Sequence, residues 1–166
     1  MARPRCTLPS LRDVTPADLE RFFEHQLDPE ANWMAASTSG DPSDRDAFTA
    51  RWKRVLDDPS VTARTIVSEA EAVGYVATFL REGTREVAYW LGRPHWGRGI
   101  ATSALAQFLA EIQARPIVAR AVQDNVASLR VLEKCGFRRI REDRFFSRAR
   151  NQEVEEFVLE LRHPET

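Results

Sequence analysis

Val87-Ala-Tyr-Trp-Leu-Gly-Arg-Pro-His-Trp-Gly-Arg-Gly-Ile-Ala101 joins a strand-like run to a helix-like one through a glycine-rich turn. Val87 to Leu91 is apolar and ends at Gly92 and Pro94. Beyond the turn, Ile100, Ala101, Ala104, Leu105, Phe108, Leu109 and Ile112 recur at helical spacing, which predicts a helix from Gly97 to about Ala114. Gly97 and Gly99 stand where the first N–H groups of that helix lack partners within it. A turn of this kind directs several N–H donors and the positive end of a helix dipole at one point, which suits a phosphate or pyrophosphate. Glycine leaves room for the phosphate to approach and permits unusual backbone angles. The segment is not a P-loop, because no lysine follows the glycines. Nor is it a dinucleotide fingerprint, because Thr102 stands where a third glycine or alanine belongs.

Trp96-Gly97-Arg98-Gly99-Ile100-Ala101 resembles the pyrophosphate loop of the GNAT N-acetyltransferases, Gln/Arg-x-x-Gly-x-Gly/Ala, with Trp96 in place of Gln or Arg. Preceded by Tyr89-Trp-Leu91, it resembles the branch that contains ribosomal-protein N-terminal acetyltransferases. Asn125-Val-Ala-Ser128-Leu-Arg-Val-Leu-Glu-Lys134-Cys-Gly136-Phe137 resembles the second signature, Asn-x-x-Ser/Ala-x-x-x-x-Glu-Lys-x-Gly-Phe. By its residues alone this segment is a capped amphipathic helix. Asp124 or Asn125 caps its start, Val126, Leu129, Leu132 and Cys135 form the apolar stripe, and Gly136 ends it. The resemblance covers residues 61–161 well and 1–60 weakly.

The coarse pattern agrees. A strand is expected near Leu8–Arg12, and a helix from Thr15 and Pro16 to His25. A loop at Ser37–Ser43 precedes a helix at Asp44–Leu56. Strands follow at Val61–Val67, Gly74–Leu80 and Glu86–Leu91, with turns at Glu69–Ala72 and Glu82–Thr84. After the Gly97 helix come a strand at 117–122, a helix at 125–135, and strands at 137–143 and 153–161. The resemblance implies one α/β (α+β) domain over residues 1–166. It would be a mixed, mostly antiparallel sheet of about seven strands flanked by helices, with the fourth and fifth strands splayed apart.

The 166 residues suffice for one domain with a proper core. With 43% hydrophobic and 30% charged residues the composition is that of a soluble globular protein. No apolar run approaches the roughly 20 residues of a membrane helix, and the N-terminus lacks a signal-peptide apolar core. Neither Cys6 nor Cys135 has ligand or nucleophile context, and a reducing cytoplasm fits them best. His25, His95 and His163 are too scattered to suggest a metal site. A net charge of −1 argues against a nucleic-acid partner. Residues 115–150 nevertheless hold ten Lys/Arg against four Asp/Glu, whereas 151–166 hold one against five. The two parts either balance across a solvated surface or place arginines near cofactor phosphates.

The resemblance implies acetyl-CoA as donor, an amine acceptor (a protein N-terminus or a small molecule), and transfer without an acyl-enzyme. It places cofactor contacts at Leu91, Trp96, Gly97, Arg98, Gly99, Ile100, Ala101, Thr102, Asn125 and Ser128. It also implies pairing into a homodimer. The family's usual acid is a tyrosine four residues before the glycine of Gly-Phe, and here that position is Leu132. Ser128 matches the alternative of the ribosomal branch, a serine near the sulfur. Glu86, at the start of the strand that leads to the loop, is the candidate base, or else a solvated carboxylate at a turn exit; Glu69 and Glu71 are further candidates. Tyr89 and Trp90 must face opposite sides of their strand, one toward the acceptor and one toward the core. Asp28-Pro29-Glu30, Trp33, Met34 and the Arg144–Asn151 turn are expected to wall the acceptor. The alternative to an enzyme is a non-catalytic CoA or acyl-CoA sensor.

Overall fold

The computed structural model describes residues 8–38 and 40–164; Cys6 lies outside them. The elements are β1 (Ser10–Asp13), α1 (Pro16–Gln26), α2 (Pro29–Ala35), α3 (Arg45–Asp57), β2 (Thr62–Ser68), β3 (Glu71–Arg81) and β4 (Thr84–Leu91). A short 3-10 turn (Arg93–His95) leads to α4 (Ile100–Glu111), β5 (Ile117–Val122), α5 (Val126–Lys134), β6 (Arg138–Ser147) and β7 (Gln152–Leu161). One seven-stranded sheet runs β1-β2-β3-β4-β5-β7-β6. Every neighbouring pair is antiparallel except β4 and β5, which are parallel and in register only at Glu86 opposite Val118. The strands separate beyond that point, and the expected splay therefore opens toward Leu91 and Val122.

Side-chain alternation assigns the faces. On one face Val87 and Leu91 of β4 and Ile117, Ala119 and Ala121 of β5 pack with Ala104, Leu105 and Phe108 of α4 and Leu129 and Leu132 of α5. On the other, Phe22 and Phe23 of α1 meet Phe48 and Trp52 of α3, with Tyr75 of β3 against them. Phe108 and Leu105 are fully enclosed, and burial of each stabilises the fold by about 1.5–3 kcal/mol. Phe108→Ala would cost about 3–5 kcal/mol.

Helix α2 was not expected, β3 and β4 begin earlier than expected, at Glu71 and Thr84, and three further boundaries depart for reasons the structure shows. Helix α4 begins at Ile100, three residues late, because Gly97 and Gly99 both adopt positive φ (75° and 77°) and cannot be helical. It ends at Glu111, because Ile112 turns extended and Arg115 folds back to donate to the carbonyls of Leu109 and Ile112. Strand β6 runs on to Ser147 because β7 supplies a partner for each residue from Arg144 to Ser147. Gly74 sits inside β3 where an added Cβ would lie 2.1 Å from the Trp90 carbonyl oxygen, so only glycine permits the strands to approach this closely. Among the described residues no helix is long and apolar enough to cross a membrane.

Candidate active site

The turn after β4 is fastened at its root: the Trp96 indole N–H donates to the Leu91 carbonyl (2.8 Å). Tryptophan here closes the loop instead of offering a charge. A Cβ built on Gly97 or Gly99 would meet no protein atom within 4 Å, so both glycines border open space. The first bond of α4 is from the Ser103 N–H to the Gly99 carbonyl (3.2 Å). The N–H groups of Ile100, Ala101 and Thr102 therefore have no acceptor within the helix. Arg98 is exposed on the same loop. These residues fit a pyrophosphate: space, N–H donors and a helix N-terminus meet at one place.

Beside the loop, Arg93 reaches α2, pairing with Asp28 (2.7 Å) and Glu30 (2.5 Å). Asp28 also caps α2 through the N–H groups of Glu30 and Ala31. The two acids expected to wall the acceptor therefore hold the loop to α2, and neither is free for an amine. Glu69 and Glu71 lie at the β2–β3 turn near His95. From Glu71 to Phe79, the partner of Glu86, is about 26 Å along β3. Those glutamates and Glu86 thus cannot serve one site.

Tyr89 and Trp90 do divide between the faces. Tyr89 turns toward α5, and its phenol donates to Ser128 Oγ (3.1 Å) across the open part of the splay. Burial pushes the Tyr89 phenol above its ordinary pKa, with only partial relief from the Ser128 hydrogen bond. Asn125 caps α5 by accepting from the Ser128 N–H (3.2 Å), while its amide donates to the Met34 carbonyl on α2 (3.3 Å). Both ends of its side chain are thus engaged within the protein. Leu132 is buried in the core. Cys135 lies half-buried, and burial pushes its thiol up.

On the opposite side of the splay is a cleft of about 480 Å³ between the end of α2, β4, β5 and β6. Glu86 lies in it, only 3% exposed, and is not the solvated carboxylate that its place at a turn exit suggests. One oxygen accepts from Arg120 Nε (2.7 Å), and the other pairs with Arg81 (3.0 Å). Arg120 also pairs with Asp143 and Glu156, each at 2.9 Å. Burial disfavours the Arg120 charge, but the hydrogen bonds it donates to three carboxylates outweigh burial and hold the guanidinium more firmly protonated than usual. Arg81, Arg120, Asp143 and Glu156 were not candidates by sequence. One signal was present: an arginine inside Ile117-Val-Ala-Arg-Ala-Val122 must find buried partners.

Three carbonyls at the end of α2 are captured by the other half of the site. Arg150 Nε donates to Trp33 (2.8 Å), Asn125 to Met34, and the Ser147 hydroxyl to Ala36 (2.6 Å). Arg150 also forms a bidentate pair with Asp124 (2.6 and 2.9 Å) and lies over the Trp33 ring. The basic stretch is therefore largely answered from within, Arg144 pairing across the hairpin with Glu155 (3.0 Å).

The sequence profile of the acetyltransferase (GNAT) domain family matches residues 10–138. No curated protein sequence matches the chain. Among solved structures, RimJ of Mycobacterium smegmatis in complex with CoA-disulfide superposes with a TM-score of 0.78 at 19% identity, over 97% of this chain and 86% of that one. The microcin self-immunity acetyltransferase MccE, in complex with acetyl-CoA and AMP, gives 0.75 at 15%, over 94% and 93%. RimL, a ribosomal alpha-N-protein acetyltransferase in complex with CoA, gives 0.71 at 16%, over 92% and 93%.

Proposed function

The chain belongs to the GNAT acetyltransferase family, and on that premise we propose that it is an N-acetyltransferase acting on an α-amino group, that of a protein N-terminus or a small molecule. The observation that carries this reading is the glycine loop at the mouth of the splay. Acetyl-CoA supplies a thioester acetyl group, which an amine takes up with release of the thiol. The N–H groups of Gly97 to Thr102 and the Arg98 side chain hold the pyrophosphate. The backbone of the splayed strands at Leu91 serves the pantetheine arm. Asn125 acts by fixing the start of α5, and Ser128 hydrogen-bonds the sulfur as charge builds there.

The choice of an α-amino group follows from the cleft. An amine must be neutral to attack, and a lysine-type amine near pKa 10.4 needs a strong base, whereas an α-amino group near 7.7–8.0 is substantially neutral unaided. Glu86 already holds two arginines and is not a free base. Glu86, Asp143 and Glu156 are matched by Arg81, Arg120 and Arg141, so the cleft holds no spare carboxylate and the incoming ammonium gives its proton to water. A reducing cytoplasm suits the free Cys135. Exposed Ile140 and Phe146 on edge strand β6 support pairing of two copies, and a monomer mass at every concentration in sedimentation contradicts that pairing.

The test is thiol release from acetyl-CoA by purified protein with N-terminal peptides, amino acids, polyamines and aminoglycosides. Turnover is expected with α-amino acceptors at pH 7–8 and much less with lysine-type amines. Tight acetyl-CoA binding without release for any amine would replace this reading with a CoA sensor.

A further inference from the structure

Tyr89 is aligned with Ser128 by two independent constraints. It lies three residues beyond the only register pair of β4 and β5, on the face that carries α5. Ser128 lies in the first turn of α5, its backbone held by the Asn125 cap. The phenol therefore spans the widening gap to reach the serine oxygen at 3.1 Å. The consequence lies in the serine's proton. A hydroxyl carries one donor and two acceptor lone pairs, and its hydrogen turns to whatever accepts it. Among the described residues Ser128 Oγ has an incoming donor, Tyr89, and no acceptor for its own hydrogen.

We propose that Tyr89 is a positioning residue for Ser128, occupying one lone pair of the serine oxygen so that the serine O–H points into the gap where the leaving sulfur must sit. The inference rests on the acetyltransferase reading above. Tyr89 does not surrender its proton. Its buried phenol remains protonated at any working pH and so remains a donor. As the carbon–sulfur bond breaks, its electron pair stays on sulfur, and the Ser128 O–H donates to that pair. A thiolate is a far better leaving group than an alkoxide and needs no stronger acid than a fixed hydroxyl. The fixed hydroxyl supplies a preorganised dipole where charge develops. In this way β4 supplies a phenol to a site whose α5 carries Leu132 in the place of one.

Tyr89→Phe keeps the ring and removes only the donor. With a good acceptor amine it is expected to lower kcat by about tenfold, with the KM for acetyl-CoA within about twofold, since the contact matters most in the transition state. In a Ser128→Ala background the same substitution should change kcat by less than about twofold, because a residue that acts only through Ser128 has nothing left to act on. A second readout needs no turnover. Calorimetry at pH 9, where the thiolate of CoA becomes appreciable, compares CoA with desulfo-CoA. Wild type should bind CoA several-fold tighter, and Tyr89→Phe and Ser128→Ala should each abolish that preference. Thermal melting of all four proteins checks that they are folded. Independent, multiplying effects of the two substitutions would overturn the inference and leave the acetyltransferase reading standing. So would a Tyr89→Phe protein with unchanged kcat and unchanged CoA preference. A wild type that binds CoA and desulfo-CoA alike and releases no thiol would overturn both.

Discussion

Gly99 shows how much a single residue can carry. Its positive φ is one reason for glycine, and the open space beside it is where the proposed pyrophosphate would lie. Gly99→Val places a branched side chain in that space. It should raise the acetyl-CoA dissociation constant by at least about tenfold, equivalent to about 1.4 kcal/mol. Calorimetry on folded variant with undiminished affinity would remove the cofactor assignment. Ser128 makes the complementary case. Ser128→Ala should lower kcat on the order of tenfold to a thousandfold, the scale of one lost contact to developing charge. Acetyl-CoA affinity should change far less, and stopped-flow kinetics at the wild-type rate would return Ser128 to a helix-start residue. At this scale the turn glycines Gly97 and Gly99 and the helix cap Asn125 were legible because each occupies a fixed place in a local motif. Arg120 and Tyr89 were not, since their importance comes from partners far away in the chain.

Among the elements, α2 is the one whose placement depends most on distant residues. It has seven residues, too few to be stable alone, and its last carbonyls are taken by Arg150, Asn125 and Ser147. One face of the acceptor cleft therefore rests on the β6–β7 turn and on the cap of α5. Arg150→Ala removes the bond to Trp33 and the pair with Asp124. It should cost about 2 kcal/mol of stability and raise the acceptor KM several-fold, with acetyl-CoA affinity unchanged. Equal losses for acceptor and acetyl-CoA would show a general loosening instead of a clamp. The Asp28–Glu30 segment taught the reverse. Acids near a cleft suggested an amine site, yet Arg93 uses them to hold the glycine loop.

For the whole molecule, Asp18 ties the first strand to the first helix. It is buried and accepts from Arg12 through both oxygens (2.6 and 2.8 Å), from the Thr15 N–H (2.8 Å) and from the Thr65 hydroxyl (2.7 Å). Burial alone would raise its pKa, but these bonds outweigh burial and hold the carboxyl well below the usual carboxylate range. A folded value below the unfolded one, near 3.9, gives stability that is present above about pH 4 and lost as pH falls toward the folded value. Asp18→Asn should therefore lose about 2 kcal/mol at pH 7, and the gap to wild type should narrow below pH 4. Denaturant titrations showing the same gap at pH 7 and pH 3 would contradict this. Residues 1–166, taken as one domain, should unfold in a single transition by circular dichroism and by tryptophan fluorescence.

The sequence by itself determined the order of the strands and of four of the five helices, the glycine turn after β4 and the capped α5, because each follows from neighbours within about ten residues: strand alternation, helical spacing, glycine and a capping asparagine. It could not determine that β6 continues to Ser147, that Glu86 is buried between two arginines, or that Tyr89 meets Ser128. Those depend on contacts 34 and 39 residues apart for Arg120–Glu86 and Tyr89–Ser128. The chemistry of a charge or a hydroxyl is set by what the fold places beside it, and only the assembled sheet, with β5 laid parallel to β4, brings those partners together.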